Sequence, residues 1–166
     1  MRVPIRKGDS RMFEKMDAAM TEEKYLELKN KLDFWIKVKR PREAEEVKRL
    51  ALMGDFSENA GYQLAKGRLR GLNQRIIDTE NLLKRAEIIR KPRGTERIDI
   101  GNTVIVESGG KEKQFTILGS SETDPSRGVI SHISPLGASL IGKRLGDVIK
   151  IGQPGKEKEY TIKKIS

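Results

Sequence analysis

The sequence predicts an α+β protein, an N-terminal antiparallel α-helical coiled-coil hairpin followed by a small α+β domain. Apolar residues recur at steps of three and four through residues 21–90, interrupted by the stretch GDFSENAGY at residues 54–62. Beyond residue 97 the pattern changes to short strand-like runs separated by glycine. Charged residues are 35% of the 166-residue chain and aromatics only 5%, which suits solvated helices and a thin core better than one large globule.

Residues 1–20 form a basic lead-in that reads as disordered, with Met16 and Met20 as alternative starts of translation. Thr21 followed by Glu22 and Glu23 is an N-cap with acids in the first helical turn. Tyr25, Leu28, Leu32 and Trp35 then line one face, and Pro41 is expected to break or kink the helix near Arg40. Ala44, Val47 and Ala51 resume the stripe up to Gly54, the expected position just past a helix end. The tip is expected at residues 54–59.

The returning arm is expected from Glu58 to near Ile89, some 32 residues and about 50 Å at ~1.5 Å per residue. Its seam is Tyr62, Ala65, Leu69, Leu72, Ile76, Thr79, Leu83 and Ala86. Gly67 and Gly71 each weaken that helix by about 1 kcal/mol relative to alanine. The hairpin ends by residue 90, and residues 91–97 read as a linker. Residues 98–166 hold five strand-like runs and one short helix, with Ser134 as its N-cap, Pro135 in the first turn and Gly142 as terminator.

The chain has no cysteine, which excludes disulfides, thiolate metal sites and cysteine nucleophiles. No apolar run reaches the roughly 18 residues of a membrane span, and the start lacks a secretory core, so a cytoplasmic protein is expected. The net charge of +10 favours an acidic partner, a nucleic acid or a nucleoprotein machine. Residues 1–97 hold 24 Lys and Arg against 16 Asp and Glu, and residues 98–166 hold 10 against 8, so the hairpin half carries that affinity.

Two carboxylates, Asp55 and Glu58, lie three residues apart at the tip. One reading is a capping box, with Asp55 as N-cap and Glu58 reaching back to it. The other is a pair of hard oxygen ligands for Mg2+, which commonly takes one or two protein carboxylates and leaves its other positions to water and phosphate. Two carboxylates do not make a complete site, and the lone histidine, His132, falls in a distant strand-like run. A free-standing nuclease is therefore disfavoured.

The tip GDFSENAGY, preceded by KRPREAEEVKRLALM and followed in the second half by SPLGASLIGKRLGD, closely resembles the bacterial Gre transcript-cleavage factors, the GreA/GreB family, GreA-like. The likeness covers roughly residues 20–166. It implies an FKBP-like C-terminal domain at 98–166 that binds RNA polymerase, and a coiled coil that enters the secondary channel. It further implies that Asp55 and Glu58 hold a Mg2+ ion jointly with the polymerase, none being bound by the isolated protein, and position the water that cuts backtracked nascent RNA. On this resemblance the chain is a cofactor of the polymerase's own nuclease, with no membrane and no small-molecule substrate.

Other tip residues have open roles. Asn59 could orient a carboxylate or a phosphate; Tyr62 could stack on a base or close the seam; Phe56 could pack over the hairpin end or touch polymerase. Lys48, Arg49, Lys66, Arg68 and Arg70 lie within three turns of the tip, where they could track RNA and channel walls through phosphate contacts or form an ordinary solvated face. Gly61 and Ser57 depart from the commoner family pattern, which has an acid and a base there, and the net positive charge is unusual for GreA-type members. The alternative is a channel regulator of the same fold that binds without stimulating cleavage. A prolyl isomerase is disfavoured, because residues 98–166 offer only Phe115 and Tyr160 as aromatics for its pocket.

Overall fold

The computed structural model describes residues 17–54, 59–90, 92 and 94–166. They form two compact units, one of residues 25–85 and one in which the residues up to Lys24 join residues 86–166.

The first unit is helical. Helix α1 spans Glu22–Phe34, a π-helical turn occupies Trp35–Lys39, α2 spans Arg40–Ala51 and α3 spans Ala60–Lys84. Thr21 caps α1 as expected, its Oγ1 accepting the Lys24 N–H at 3.2 Å. Pro41 does not break the helix. It sits in the first turn of α2, and the preceding turn widens so that the Arg40 N–H bonds the Trp35 carbonyl five residues back. The wider turn accommodates the proline ring and its missing N–H without ending the helix. The extra residue also rotates the face of α2 by about 100°. Consequently Glu43, Val47 and Leu50 are half-buried, whereas Ala44, which the sequence places in the stripe, is exposed.

On α3 the seam largely follows the sequence pattern, with Ala65, Leu72 and Ile76 buried and Tyr62, Leu69 and Thr79 half-buried. The helix stops at Lys84, and the Arg85 N–H turns back to the Leu82 carbonyl at 3.1 Å. Its 25 residues measure about 37 Å, shorter than the expected arm. Residues expected to continue the helix instead form strand β2, Glu87–Ile88, parallel to β1, Ala19–Met20. The Glu87 and Ile89 N–H groups each reach a β1-side carbonyl, Ala18 and Met20, at 2.8 Å.

Residues 17–20, expected in a disordered lead-in, are therefore part of the second unit; residues 1–16 lie outside the described residues. Met20 is fully buried. Asp17 accepts the Ala19 N–H at 3.1 Å, the Ser120 N–H at 3.0 Å and the Ser120 hydroxyl. Thr21 donates its N–H at 2.8 Å and its hydroxyl at 2.5 Å to the Glu122 carboxylate.

The remainder of this unit is a five-stranded sheet. Its strands are β3, Thr103–Ser108; β4, Lys111–Leu118; β5, Val129–Ser131; β6, Val148–Ile151; and β7, Lys158–Ile165. The order is β5-β4-β3-β7-β6, antiparallel except for the β4–β5 pair. Alternation along β3 turns Val104 and Val106 inward onto Ile117, Leu140, Ile149 and Ile162, and each such side chain contributes about 1.5–3 kcal/mol of burial. Phe115 and Tyr160 pack against this core. Helix α4, Pro135–Leu140, starts where Ser134 Oγ accepts the Gly137 N–H at 3.1 Å. It ends before Gly142, whose φ of 79° fits the left-handed position after a helix.

His132 is not a strand residue: it follows β5 in the turn, with Nδ1 3.4 Å from the Leu118 carbonyl oxygen and 3.9 Å from Asp17. No helix among the described residues is long and apolar enough to cross a membrane.

Candidate functional site

The connection between α2 and α3 carries the acids singled out in the sequence. Helix α2 closes on its own last carbonyls, the Leu52 N–H reaching Lys48 O at 3.3 Å and the Met53 N–H reaching Leu50 O at 3.2 Å. Gly54 thus lies beyond the cap and does not terminate the helix. Asp55, Phe56, Ser57 and Glu58 lie outside the described residues.

Helix α3 begins at Ala60, and its N-cap is Asn59, whose Oδ1 accepts the Tyr62 N–H at 3.1 Å. A capping box built on Asp55 and Glu58 would start the helix four residues earlier. Those two residues lie outside the described residues, and the described N-cap of α3 is Asn59. Asn59 Nδ2 also donates to the Leu50 carbonyl at 3.4 Å, so one amide closes α3 and ties it to the end of α2. Gly61 leaves room for this arrangement, because a Cβ there would stand 3.2 Å from Asn59 Oδ1. The amide of Asn59 is thus engaged within the chain at both ends, whichever other group it also meets.

The five basic side chains named from the sequence are all exposed. Arg49 forms a two-pronged pair with Glu46, at 2.8 Å from Nε and 2.7 Å from a terminal nitrogen. The Arg49 hydrogen bond holds the Glu46 carboxyl below the usual glutamate range, and Glu46 in turn raises the arginine. Arg68 on α3 reaches Glu43 on α2 at 3.2 Å. Lys66 Nζ stands 5.8 Å from the centre of the half-buried Tyr62 ring. Lys48 and Arg70 have no ion pair among the described residues. Two of the five cations are therefore already partnered by acids. The Glu46–Arg49 pair was readable as a three-residue spacing on one helix, whereas Glu43–Arg68 joins two helices and left no local signal.

The family model described as "Transcription elongation factor, N-terminal" matches residues 18–88, and that described as "Transcription elongation factor, GreA/GreB, C-term" matches residues 93–166. The "Transcription elongation factor GreA" of Nautilia profundicola is 37% identical over 150 residues, 88% of this chain and 92% of the relative. That of Bacillus subtilis is 37% identical over 89% of this chain and 95% of its own. That of Mycoplasmopsis pulmonis is 37% identical over 93% and 98%. Among solved structures, that of the transcription factor Gfh1 aligns at a TM-score of 0.42 and 25% identity over 88% of this chain and 95% of that one, too loose a fit to carry an argument.

Proposed function

The chain belongs to the GreA/GreB family of transcription elongation factors, and from that premise we propose that it enters the secondary channel of RNA polymerase and stimulates cleavage of backtracked RNA near its 3′ end. The observation that carries this reading is the Asn59 cap. Asn59 supplies the N-cap of α3, so that position is filled by a residue other than the two acids.

Two carboxylates are hard oxygen donors that suit Mg2+ but complete only part of its coordination shell, so the polymerase would supply the rest. Shared in that way, the ion supplies Lewis-acid activation of water for phosphodiester hydrolysis. The chain's own residues bring the acids to the reacting phosphate and hold them there. Asn59 fixes both ends of the connection that carries them. Lys48 and Arg70, with Lys66, offer contacts to the RNA backbone or the channel wall. In this role the chain is a cofactor of the polymerase's own nuclease activity.

The test is a backtracked elongation complex of the cognate polymerase, with labelled RNA and Mg2+, mixed with wild type, Asp55→Asn or Glu58→Gln. Wild type should accelerate RNA shortening, and each substitution should abolish the gain while polymerase binding persists. Binding by wild type with no shortening would replace this reading with that of a non-cleaving channel regulator.

A further inference from the structure

A groove of about 510 Å3 runs along one side of the α2–α3 pair. Its floor includes the buried Leu72, the exposed Leu64, and Gly67 and Gly71 one helical turn apart. Lys39, Arg68 and Arg75 line it as well, against one carboxylate among the described residues, that of Glu43. The described lining therefore combines apolar surface with two net positive charges.

The chain's own fold does not account for the two glycines. Neither has a positive φ, and a Cβ added at either would meet nothing within 4 Å. Each nevertheless lowers helix propensity, so the hairpin would be more stable with alanine at both positions. What their bare backbone provides is an open floor that a partner can approach closely.

We propose that this groove seats an acidic polypeptide segment of RNA polymerase, with a bulky apolar side chain lying over Gly67 and Gly71 and its carboxylates facing Lys39 and Arg75. This rests on the reading that the hairpin enters the polymerase. The cationic lining supplies the charge complementarity, and the apolar floor gives the side chain its pocket. Single-stranded RNA is the poorer fit, because such strands are held on aromatic platforms and no aromatic residue among the described residues lines the groove.

The test measures affinity for the cognate core polymerase without nucleic acid, using full-length Gly67→Ala/Gly71→Ala, Gly67→Leu/Gly71→Leu and Arg75→Glu. The alanine pair should melt no lower than wild type yet bind about tenfold more weakly, with a greater loss for the leucine pair. Arg75→Glu should weaken binding, and its remaining affinity should depend less on salt. A photo-crosslinker at position 64 should capture a polymerase protein subunit. Unchanged affinity in all three variants would overturn the seat. So would a crosslink that forms only to RNA in elongation complexes, which would make the groove a nucleic-acid contact. Failure of wild type itself to bind core polymerase would remove the functional reading along with the seat, whereas normal binding by the groove variants removes only the seat.

Discussion

Asn59 and Leu50, nine residues apart, join the two ends of the α2–α3 connection through the hydrogen bond from Asn59 Nδ2 to the Leu50 carbonyl. The same side chain caps α3, so its two functions can be separated by substitution. Asn59→Ala removes both and should cost the hairpin about 1 kcal/mol or somewhat more, read by thermal denaturation. Asn59→Asp keeps a capping acceptor but cannot donate to Leu50, so it should lose less stability. If the tie to Leu50 holds the tip in place, both variants cleave backtracked RNA more slowly than wild type. Wild-type cleavage by Asn59→Asp would show that the cap alone suffices.

The Glu46–Arg49 pair gives a pH prediction. Its hydrogen bond lowers the Glu46 carboxyl, so the pair's contribution to stability is present above the unfolded-state value and is lost as pH falls through the folded one. Carboxyl NMR should show Glu46 titrating below ordinary glutamates. Arg49→Gln removes the dominant cause and should move the midpoint upward. The pair lies at the surface, with Arg49 exposed and Glu46 half-buried, so salt should weaken the effect.

The parts of this fold that were legible in the sequence are those decided within a few residues. Strand alternation at Val104 and Val106, the Ser134 cap and Gly142 after α4 all depend on near neighbours. The residues that misled are those decided by distant partners. Ala86 to Ile89 contain no helix breaker, yet Glu87 and Ile88 pair with β1, nearly 70 residues away along the chain. Asp17 looks like a tail residue and Thr21 like a purely local cap until Ser120 and Glu122, about 100 positions on, supply their partners. At the tip, Asp and Asn are nearly equivalent caps, so local pattern favoured the D-x-x-E spacing over the asparagine that performs the task.

Thr21 and Glu122 are joined within the unit that holds the sheet, where α1 begins. Thr21 Oγ1 accepts the Lys24 N–H while donating to Glu122, whose other oxygen takes the Thr21 N–H. Thr21→Val keeps the shape but loses the cap and one bond to a charged acceptor, a loss of about 2 kcal/mol. Thr21→Ser should retain most of the stability. Urea unfolding of both variants checks this, and equal midpoints for Val and Ser would show that the hydroxyl contributes nothing.

Gly119 sets how closely the N-terminal segment lies on the sheet unit. A Cβ there would stand 1.7 Å from the Ala19 carbonyl oxygen, and that oxygen belongs to backbone rather than to a side chain that could turn away. The glycine φ of −75° is ordinary, so the constraint is space and not conformation. Gly119→Ala must therefore push β1 outward, separating Asp17 from Ser120 and lifting Met20 from its buried position. Such overpacking typically costs about 1–3 kcal/mol. The loss should be local first: the Glu87 and Ile89 amides, which donate to Ala18 and Met20, should exchange with solvent faster, while the Val104 and Val106 amides in the central strand β3 keep their protection. Unchanged exchange at residues 87 and 89 would mean that β1 does not lie against Gly119 in solution.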